Sequence, residues 1–228
     1  MKNISSPPVY AVLLALLLTA CGPSKEQQAR NVERMRQQCL NDVCEGETPP
    51  KYDWAKETIL KRGGKWFRGP KEYFSSGHSA TFYWPSKHPG FTETNYPEKG
   101  QPFNLVAIEF WVDVNDGSRE ESQIDIPKLE KEGKLIGTRQ LRNGLELVEI
   151  KSYNNQVGQM YIATSLKTPS GLLPVVGCDE SDSRNACTSW FIWKPGYRIY
   201  VRFSSLHGKD WPEIYSEIIR VLNLLKEA

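Results

Sequence analysis

Residues 135–151 have the sequence LIGTRQLRNGLELVEIK, and this stretch decides the fold class of the chain. Two β-prone runs, Leu135 to Leu141 and Leu145 to Lys151, flank the dipeptide Asn143-Gly144. Asn-Gly is the strongest short hairpin signal, because a type I′ turn needs positive φ at both of its central residues. The stretch therefore predicts two antiparallel strands joined by a tight turn.

Further strands are predicted on both sides of this hairpin. Residues 104–114 alternate, with Val106, Ile108, Phe110 and Val112 on one face, which is the pattern of a half-buried strand. More β-prone runs lie at residues 81–84, 157–166, 172–178, 189–193 and 198–203. Turn residues separate some of these runs, and strands joined by short turns imply an antiparallel sheet.

Helices are expected near the two ends of the chain. A polar helix is predicted from Ser24 to Leu40, and a short one from Asp53 through Leu60, ended by Gly63-Gly64. Asp210-Trp211-Pro212-Glu213 has the pattern of a capping box, and an apolar stripe follows at Ile214, Ile218, Val221, Leu222 and Leu225. The sequence thus predicts an α+β fold: a mainly antiparallel β-sheet with an N-terminal polar helix and a C-terminal amphipathic helix packed on the sheet.

The N-terminus has the three parts of a secretory signal. Lys2 supplies a positive charge, residues 9–18 are an unbroken apolar run, and Leu18-Thr19-Ala20-Cys21 closes the segment. The run is too short to span a bilayer, because a transmembrane helix needs about 20 apolar residues. The segment predicts a signal peptide that ends just before Cys21.

These residues resemble the lipobox of bacterial lipoproteins, in which an aliphatic residue and two small ones precede a cysteine. The resemblance implies that Cys21 is the lipid-attachment residue and the first residue of the mature chain, which stably anchors it in a membrane. Gly22 follows instead of aspartate, which in Gram-negative lipoproteins implies the outer membrane, facing the periplasm. The expected organisation is a signal peptide at 1–20, a lipidated tether with the polar helix and a linker at 21–50, and a globular α+β domain at 51–228.

The remaining cysteines predict disulfides. Cys39, Cys44, Cys178 and Cys187 are an even number in an expected oxidising compartment, and four cysteines allow three pairings. Closure of the shortest loops favours Cys39–Cys44 and Cys178–Cys187. A zinc site is the alternative, but the spacing is not that of paired knuckles and no histidine is near either pair.

Composition and motifs narrow the function classes. The chain has 228 residues with 29 Lys+Arg against 27 Asp+Glu, and its net charge of +2 argues against a dedicated nucleic-acid binder. Gly77-His78-Ser79 resembles part of an esterase nucleophile elbow, but a strand-like run follows where the elbow needs a helix. We therefore expect no catalytic residues, no metal site and no cofactor, and a hydrolase that uses Ser79 stays as an alternative.

One segment stands out as a binding candidate. Residues 178–187, CDESDSRNAC, predict an acidic loop closed by a disulfide. Asp179, Glu180 and Asp182 are candidate contacts for a basic protein partner, because a rigid loop loses less entropy on binding and opposite charge speeds association. The alternative is a solvated hairpin tip. The seven tryptophans are expected mainly in the core, with a ligand groove as the alternative.

In its layout the chain resembles the immunity lipoproteins paired with type VI secretion phospholipase effectors. The resembling features are the lipobox at Leu18–Cys21, the turn Thr168-Pro169-Ser170-Gly171, the aromatic strands Trp190–Trp193 and Tyr197–Phe203, and the final helix from Asp210. The resemblance implies a periplasm-facing, non-enzymatic protein that binds an incoming lipase and blocks its active site or its access to membrane. An envelope-assembly or solute-binding lipoprotein, with tryptophans lining a groove, is the alternative.

Overall fold

The computed structural model describes residues 24–41, 44, 46–74, 79–90, 104–112, 121–151, 157–179 and 185–228. These residues fold into helices and antiparallel strands, which are numbered here in chain order. The elements are α1 (Lys25–Asn41), β1 (Glu57–Arg62), β2 (Lys65–Pro70), β3 (Ser79–Tyr83), β4 (Leu105–Val112), α2 (Ile126–Lys131), β5 (Leu135–Arg142), β6 (Leu145–Lys151), β7 (Val157–Ala163), β8 (Val175–Asp179), β9 (Ala186–Lys194), β10 (Tyr197–Ser204), a 3₁₀-helix (Ser205–Asp210), α3 (Trp211–Leu222) and β11 (Lys226–Glu227).

The strands form two sheets. The larger one has eight strands in the order β3-β4-β10-β9-β8-β7-β6-β5, and the smaller one has the order β1-β2-β11. Every strand pair in both sheets is antiparallel. The chain divides into two compact units, Met1–Cys39, of which α1 is the described element, and Leu40–Ala228, which holds both sheets. The predicted fold class, α+β with a mainly antiparallel sheet and a C-terminal helix packed on it, is confirmed.

The hairpin that decides the fold class is present as β5 and β6, but its turn differs from the prediction. Gly144 has φ of 80°, whereas Asn143 is not among the described residues with positive φ, so the turn is not type I′. The register shifts between Gln140 and Arg142, next to the turn. A register shift of this kind is a β-bulge, which increases the local twist of the strands. The added twist allows a turn with a single left-handed residue, Gly144, to join β5 and β6.

The core lies between one face of the large sheet and α3. Alternation places Ile108, Phe191 and Ile199 on this face, and all three are almost fully buried. Helix α3 covers them with the predicted apolar stripe, and its Trp211 stacks on Phe203 at 5.9 Å between ring centroids. The Nε1 of Trp211 donates a hydrogen bond to the backbone oxygen of Pro174 (3.0 Å), so the buried indole has no unsatisfied donor.

The predicted capping box at the start of α3 is wrong, because tertiary partners take its side chains. Asp210 is the N-cap residue but makes no side-chain cap hydrogen bond. Its Oδ2 instead accepts from Trp84 Nε1 (2.9 Å) and lies 3.0 Å from Nδ1 of His207. Glu213 forms an ion pair with Arg142 at the end of β5, and this hydrogen bond lowers the pKa of the Glu213 carboxyl.

The predicted helix after Asp53 is also wrong. Glu57–Arg62 is strand β1, and Gly63-Gly64 forms the turn of a hairpin with β2, with φ of 57° and 77°. Leu60 is buried in the core beside Phe67 of β2. Burial against a partner strand therefore decides the structure of this segment.

The opposite face of the large sheet, called here the outer face, is covered over half of its width. On β6, β7 and β8, Val148, Ile162 and Val175 form a second buried cluster against Ile124 and other residues around α2, which was not predicted. The segment before α2 also pairs with β9, beyond the residues at which β9 pairs with β8. Ser122 N donates to Trp190 O (2.8 Å), and Ser122 Oγ accepts from Trp190 N (2.8 Å).

Both predicted disulfides are confirmed: Cys178 is bonded to Cys187, and Cys39 to Cys44. Cys178 and Cys187 lie directly opposite one another on β8 and β9, so the bond clamps the base of the intervening turn. Disulfides persist in oxidising compartments such as the periplasm, and the two bonds fit an envelope location. Among the described residues, no helix has the length and apolar character needed to cross a bilayer.

Candidate functional site

A group of aromatic side chains lies on the half of the outer face that is formed by β4, β10 and β9. Strand alternation points Ile199 and Phe191 into the core, so their neighbours Arg198, Tyr200, Trp190 and Ile192 project from the outer face, as does Trp111 of β4. We call Trp111, Trp190, Ile192, Arg198 and Tyr200 the aromatic face. It is built from three adjacent strands, β4, β10 and β9.

The strand register brings these side chains into direct contact. Tyr200 lies opposite Trp190, and Arg198 lies opposite both Trp111 and Ile192. The ring centroids of Trp190 and Tyr200 are 4.4 Å apart, and those of Trp111 and Trp190 are 5.9 Å apart. The guanidinium of Arg198 lies 4.5 Å from the centroid of the Trp190 ring, which is cation–π geometry.

Part of the aromatic face is exposed. Trp111 is 45% and Ile192 is 36% exposed, while Trp190 and Tyr200 are half-buried. The indole Nε1 of Trp111 donates to Oε2 of Glu109 (3.3 Å), which orients the ring on the surface. Tryptophan, tyrosine and arginine are the residue types that dominate the energetics of protein–protein interfaces. The aromatic face therefore has the composition of a binding hot spot.

Arg198 is the unusual member of this group. Three cationic side chains are buried among the described residues, and two of them have hydrogen-bond partners: Lys61 binds Glu47 (2.5 Å), and Arg62 donates to the backbone oxygen of Lys61 (2.6 Å). Arg198, at 4% exposure, forms no ion pair within the described part of the chain, and its Nε is buried without a hydrogen-bond acceptor. A buried donor without an acceptor costs free energy.

Arg220 shows what a satisfied arginine looks like in the same molecule. Its side chain is 47% exposed, yet it donates to Glu217 Oε1 from both Nε (2.9 Å) and Nη2 (2.6 Å), and to the Tyr73 hydroxyl (2.8 Å). These hydrogen bonds raise the pKa of Arg220. The less exposed Arg198 has no counterpart to them.

The predicted acidic loop is described only at its ends. The disulfide is present, and Asp179 lies opposite Ala186 at the end of the β8–β9 pair. Glu180 and Asp182 lie outside the described residues, and the side chain of Asp179 does as well. The loop as a partner-binding patch stays a prediction, as does the lipid on Cys21, which also lies outside the described residues.

Ser79, His88 and His207, the other residues considered from the sequence as catalytic or metal-binding, lie in the following surroundings. Ser79 is the first residue of β3, so a strand follows it and the strand–turn–helix of a nucleophile elbow does not form there. His207 binds Asp210, which also accepts from Trp84, and His88 is exposed. Within the described ranges, no three metal-binding side chains cluster together.

Cavities open on the described surface, and three of them differ in volume and lining. The largest of these three, about 730 Å³, is lined by charged side chains of the small sheet and by residues after α3; the others measure about 540 Å³ and 390 Å³. None of the three is lined by a tryptophan. Trp84, Trp193 and Trp211 are buried in the core, Trp66 and Trp190 are half-buried, and Trp54 and Trp111 are exposed, so three of the seven tryptophans lie in the core as expected.

Sequence reasoning missed the aromatic face. The alternation of residues 197–203 contained part of the signal, because Arg198 and Tyr200 alternate with Ile199 and Val201. Placing Trp111 and Trp190 beside them required the register of β4, β10 and β9, which joins residues far apart in sequence.

Comparison with known proteins adds a fold likeness. No family model matches the chain, and no curated protein does. One solved structure, that of an immunity protein of the Stenotrophomonas maltophilia type IV secretion system, aligns with 80% of this chain and 96% of its own, with 15% sequence identity and a TM-score of 0.48. At this identity and TM-score, no residue role is transferred.

Proposed function

We propose that the chain is an immunity lipoprotein that binds and neutralises a toxic effector through its aromatic face. In the full form of the proposal, Cys21 carries a lipid that anchors the chain in the outer membrane, facing the periplasm. The toxin is a phospholipase delivered by a type VI secretion system, and the chain itself catalyses no reaction. The lipobox and the layout resemblance support the anchor and the class of toxin.

The aromatic face is the observation that carries the proposal. It combines two tryptophans, a tyrosine and a buried arginine on one sheet surface, and Trp111 and Ile192 remain exposed at 45% and 36%. Burying such side chains against a partner removes apolar area from water and contributes about 25 cal/mol per Å². This surface is therefore suited to forming a tight complex with a protein partner.

The test is protection of cells from the proposed toxin, sought as a lipase-like secreted protein among the genes next to the one for this chain. The toxin is directed to the periplasm, and the full-length chain is co-expressed as wild type, as Trp111→Ala with Trp190→Ala, or as Trp54→Ala. Trp54 is the matched control, because it is 74% exposed and lies outside the aromatic face.

We expect protection by the wild type and by Trp54→Ala, and its loss in the double variant at equal protein abundance. A toxin that kills cells equally with and without the wild-type chain contradicts the proposal. Retained protection in the double variant would instead assign neutralisation to another surface, and the predicted acidic loop would be tested next.

A further inference from the structure

Arg198 points to the chemistry of the partner. We propose that its guanidinium is the receptor for a carboxylate, an aspartate or glutamate side chain of a protein partner, held between Trp111 and Ile192. This inference rests on the proposed function and deepens it, because it names the chemical group that the neutralised protein presents to the aromatic face.

The first step is that Arg198 is a buried cation without a counter-ion among the described residues. Arg198 is 4% exposed, and within the described residues its guanidinium has neither an ion pair nor a hydrogen bond. The other buried cations, Lys61 and Arg62, both have oxygen partners. A buried cation that lacks a counter-ion is destabilising, and an incoming anion removes that penalty.

The second step is the geometry around the guanidinium. Its contact with the Trp190 ring, at 4.5 Å, occupies the face of the guanidinium and leaves its edge for acceptors. Nε is fully buried, so the 4% of Arg198 that is exposed belongs to its other atoms. A carboxylate approaching that edge accepts two parallel hydrogen bonds, which is the geometry that arginine favours.

The third step is what surrounds the guanidinium. Trp111 and Ile192 lie directly opposite Arg198 on the two neighbouring strands, and both are partly exposed. A partner's apolar atoms packed on them exclude water, and a drier site strengthens the charge-assisted hydrogen bonds.

The fourth step is the charge of the surrounding surface. Arg202 projects from the same side of β10, four residues further on, and is half-buried. Glu109, the carboxylate of β4, accepts from Trp111 Nε1. Among the described side chains of β4 and β10 on this side of the sheet, two arginines thus stand against one glutamate, a balance that favours an anionic group on the partner.

The test is a titration of the full-length chain followed by NMR of arginine Nε–H groups. The Arg198 resonance is assigned from its loss in Arg198→Lys, and Arg202→Lys is the matched control on the same strand. The probe is N-acetyl-glutamate α-amide, which carries one carboxylate. N-acetyl-glutamine α-amide, sodium chloride at equal ionic strength and inorganic phosphate are titrated separately.

We expect the Arg198 resonance to shift saturably with the carboxylate probe, with a midpoint in the millimolar range, and at least tenfold more weakly with the amide. Arg202→Lys should bind as the wild type does. A linear shift that chloride reproduces overturns the inference, and so does tighter binding of phosphate, which would point to a headgroup instead. If the toxin is neutralised but no carboxylate binds, the inference fails and the proposed function stands. If the carboxylate binds but the toxin is not neutralised, the proposed function fails and carboxylate binding at Arg198 stands.

Discussion

Arg198→Met should make the domain more stable. The side chain is 4% exposed, and its buried Nε has no acceptor among the described residues. An unsatisfied buried donor costs about 1–3 kcal/mol, whereas the lost contact with Trp190 contributes about 0.5–2 kcal/mol. Methionine keeps the apolar stem and removes the charge. At the middle of these ranges, the free energy of unfolding rises by about 1 kcal/mol.

The assay is urea unfolding at pH 7, followed by tryptophan fluorescence and by circular dichroism. In a parallel thermal unfolding experiment, the same gain of about 1 kcal/mol should raise the midpoint temperature by about 2–4 °C in a domain of this size. Arg202→Met is the matched control, because Arg202 is on the same strand and more exposed, and we expect a change within about 0.5 kcal/mol. A loss of more than about 1 kcal/mol in Arg198→Met alone would show that the arginine stabilises the fold, and the argument from its unmet charge would be refuted.

Three further changes test the fold. Trp211→Ala should lower the free energy of unfolding by about 3–5 kcal/mol, because the side chain is fully buried, stacks on Phe203 and binds Pro174; a loss below about 1 kcal/mol, measured in urea, would contradict the packing of α3 on the sheet. Replacing Cys178 and Cys187 together by alanine should lower the free energy of unfolding by about 2–3 kcal/mol, because the bond closes a short loop. In the presence of a reductant, the variant and the wild type should have nearly equal free energies of unfolding. Glu213→Gln should lower stability at pH 7 by less than about 0.5 kcal/mol, since the pair with Arg142 is nearly half exposed. The Arg142 hydrogen bond lowers the pKa of Glu213, so this contribution is present above the usual glutamate range and disappears as pH falls through the lowered pKa; unfolding curves of the two proteins that stay equally separated at low pH would contradict it.

Local sequence patterns predicted most of the large sheet. The alternation of β4 and the Asn143-Gly144 turn are short-range features, and each fixes one strand or one hairpin without reference to the rest of the chain. The apolar stripe of α3 is equally local, and it correctly predicted the buried side of that helix. These are the elements whose periodicity is enforced by burial on one face only.

The errors occurred where tertiary partners overrode a local pattern. Asp210 and Glu213 have the spacing of a capping box, but Trp84 and Arg142, both distant in sequence, take their side chains. Gly63-Gly64 suits a helix end and a hairpin turn equally well, and only pairing with β2 decides between them. The aromatic face is of the same kind, because its members are brought together by strand register rather than by sequence spacing.

The most direct test of the central claim is the affinity, measured by calorimetry, between the full-length chain and the proposed toxin, sought as a lipase-like secreted protein among the neighbouring genes. We expect a stable complex. Trp111→Ala should raise Kd by about 30-fold or more, the equivalent of a hot-spot loss of about 2 kcal/mol. Trp54→Ala should leave Kd unchanged. Absence of binding by the wild-type chain, or an unchanged Kd in Trp111→Ala, would contradict neutralisation through the aromatic face.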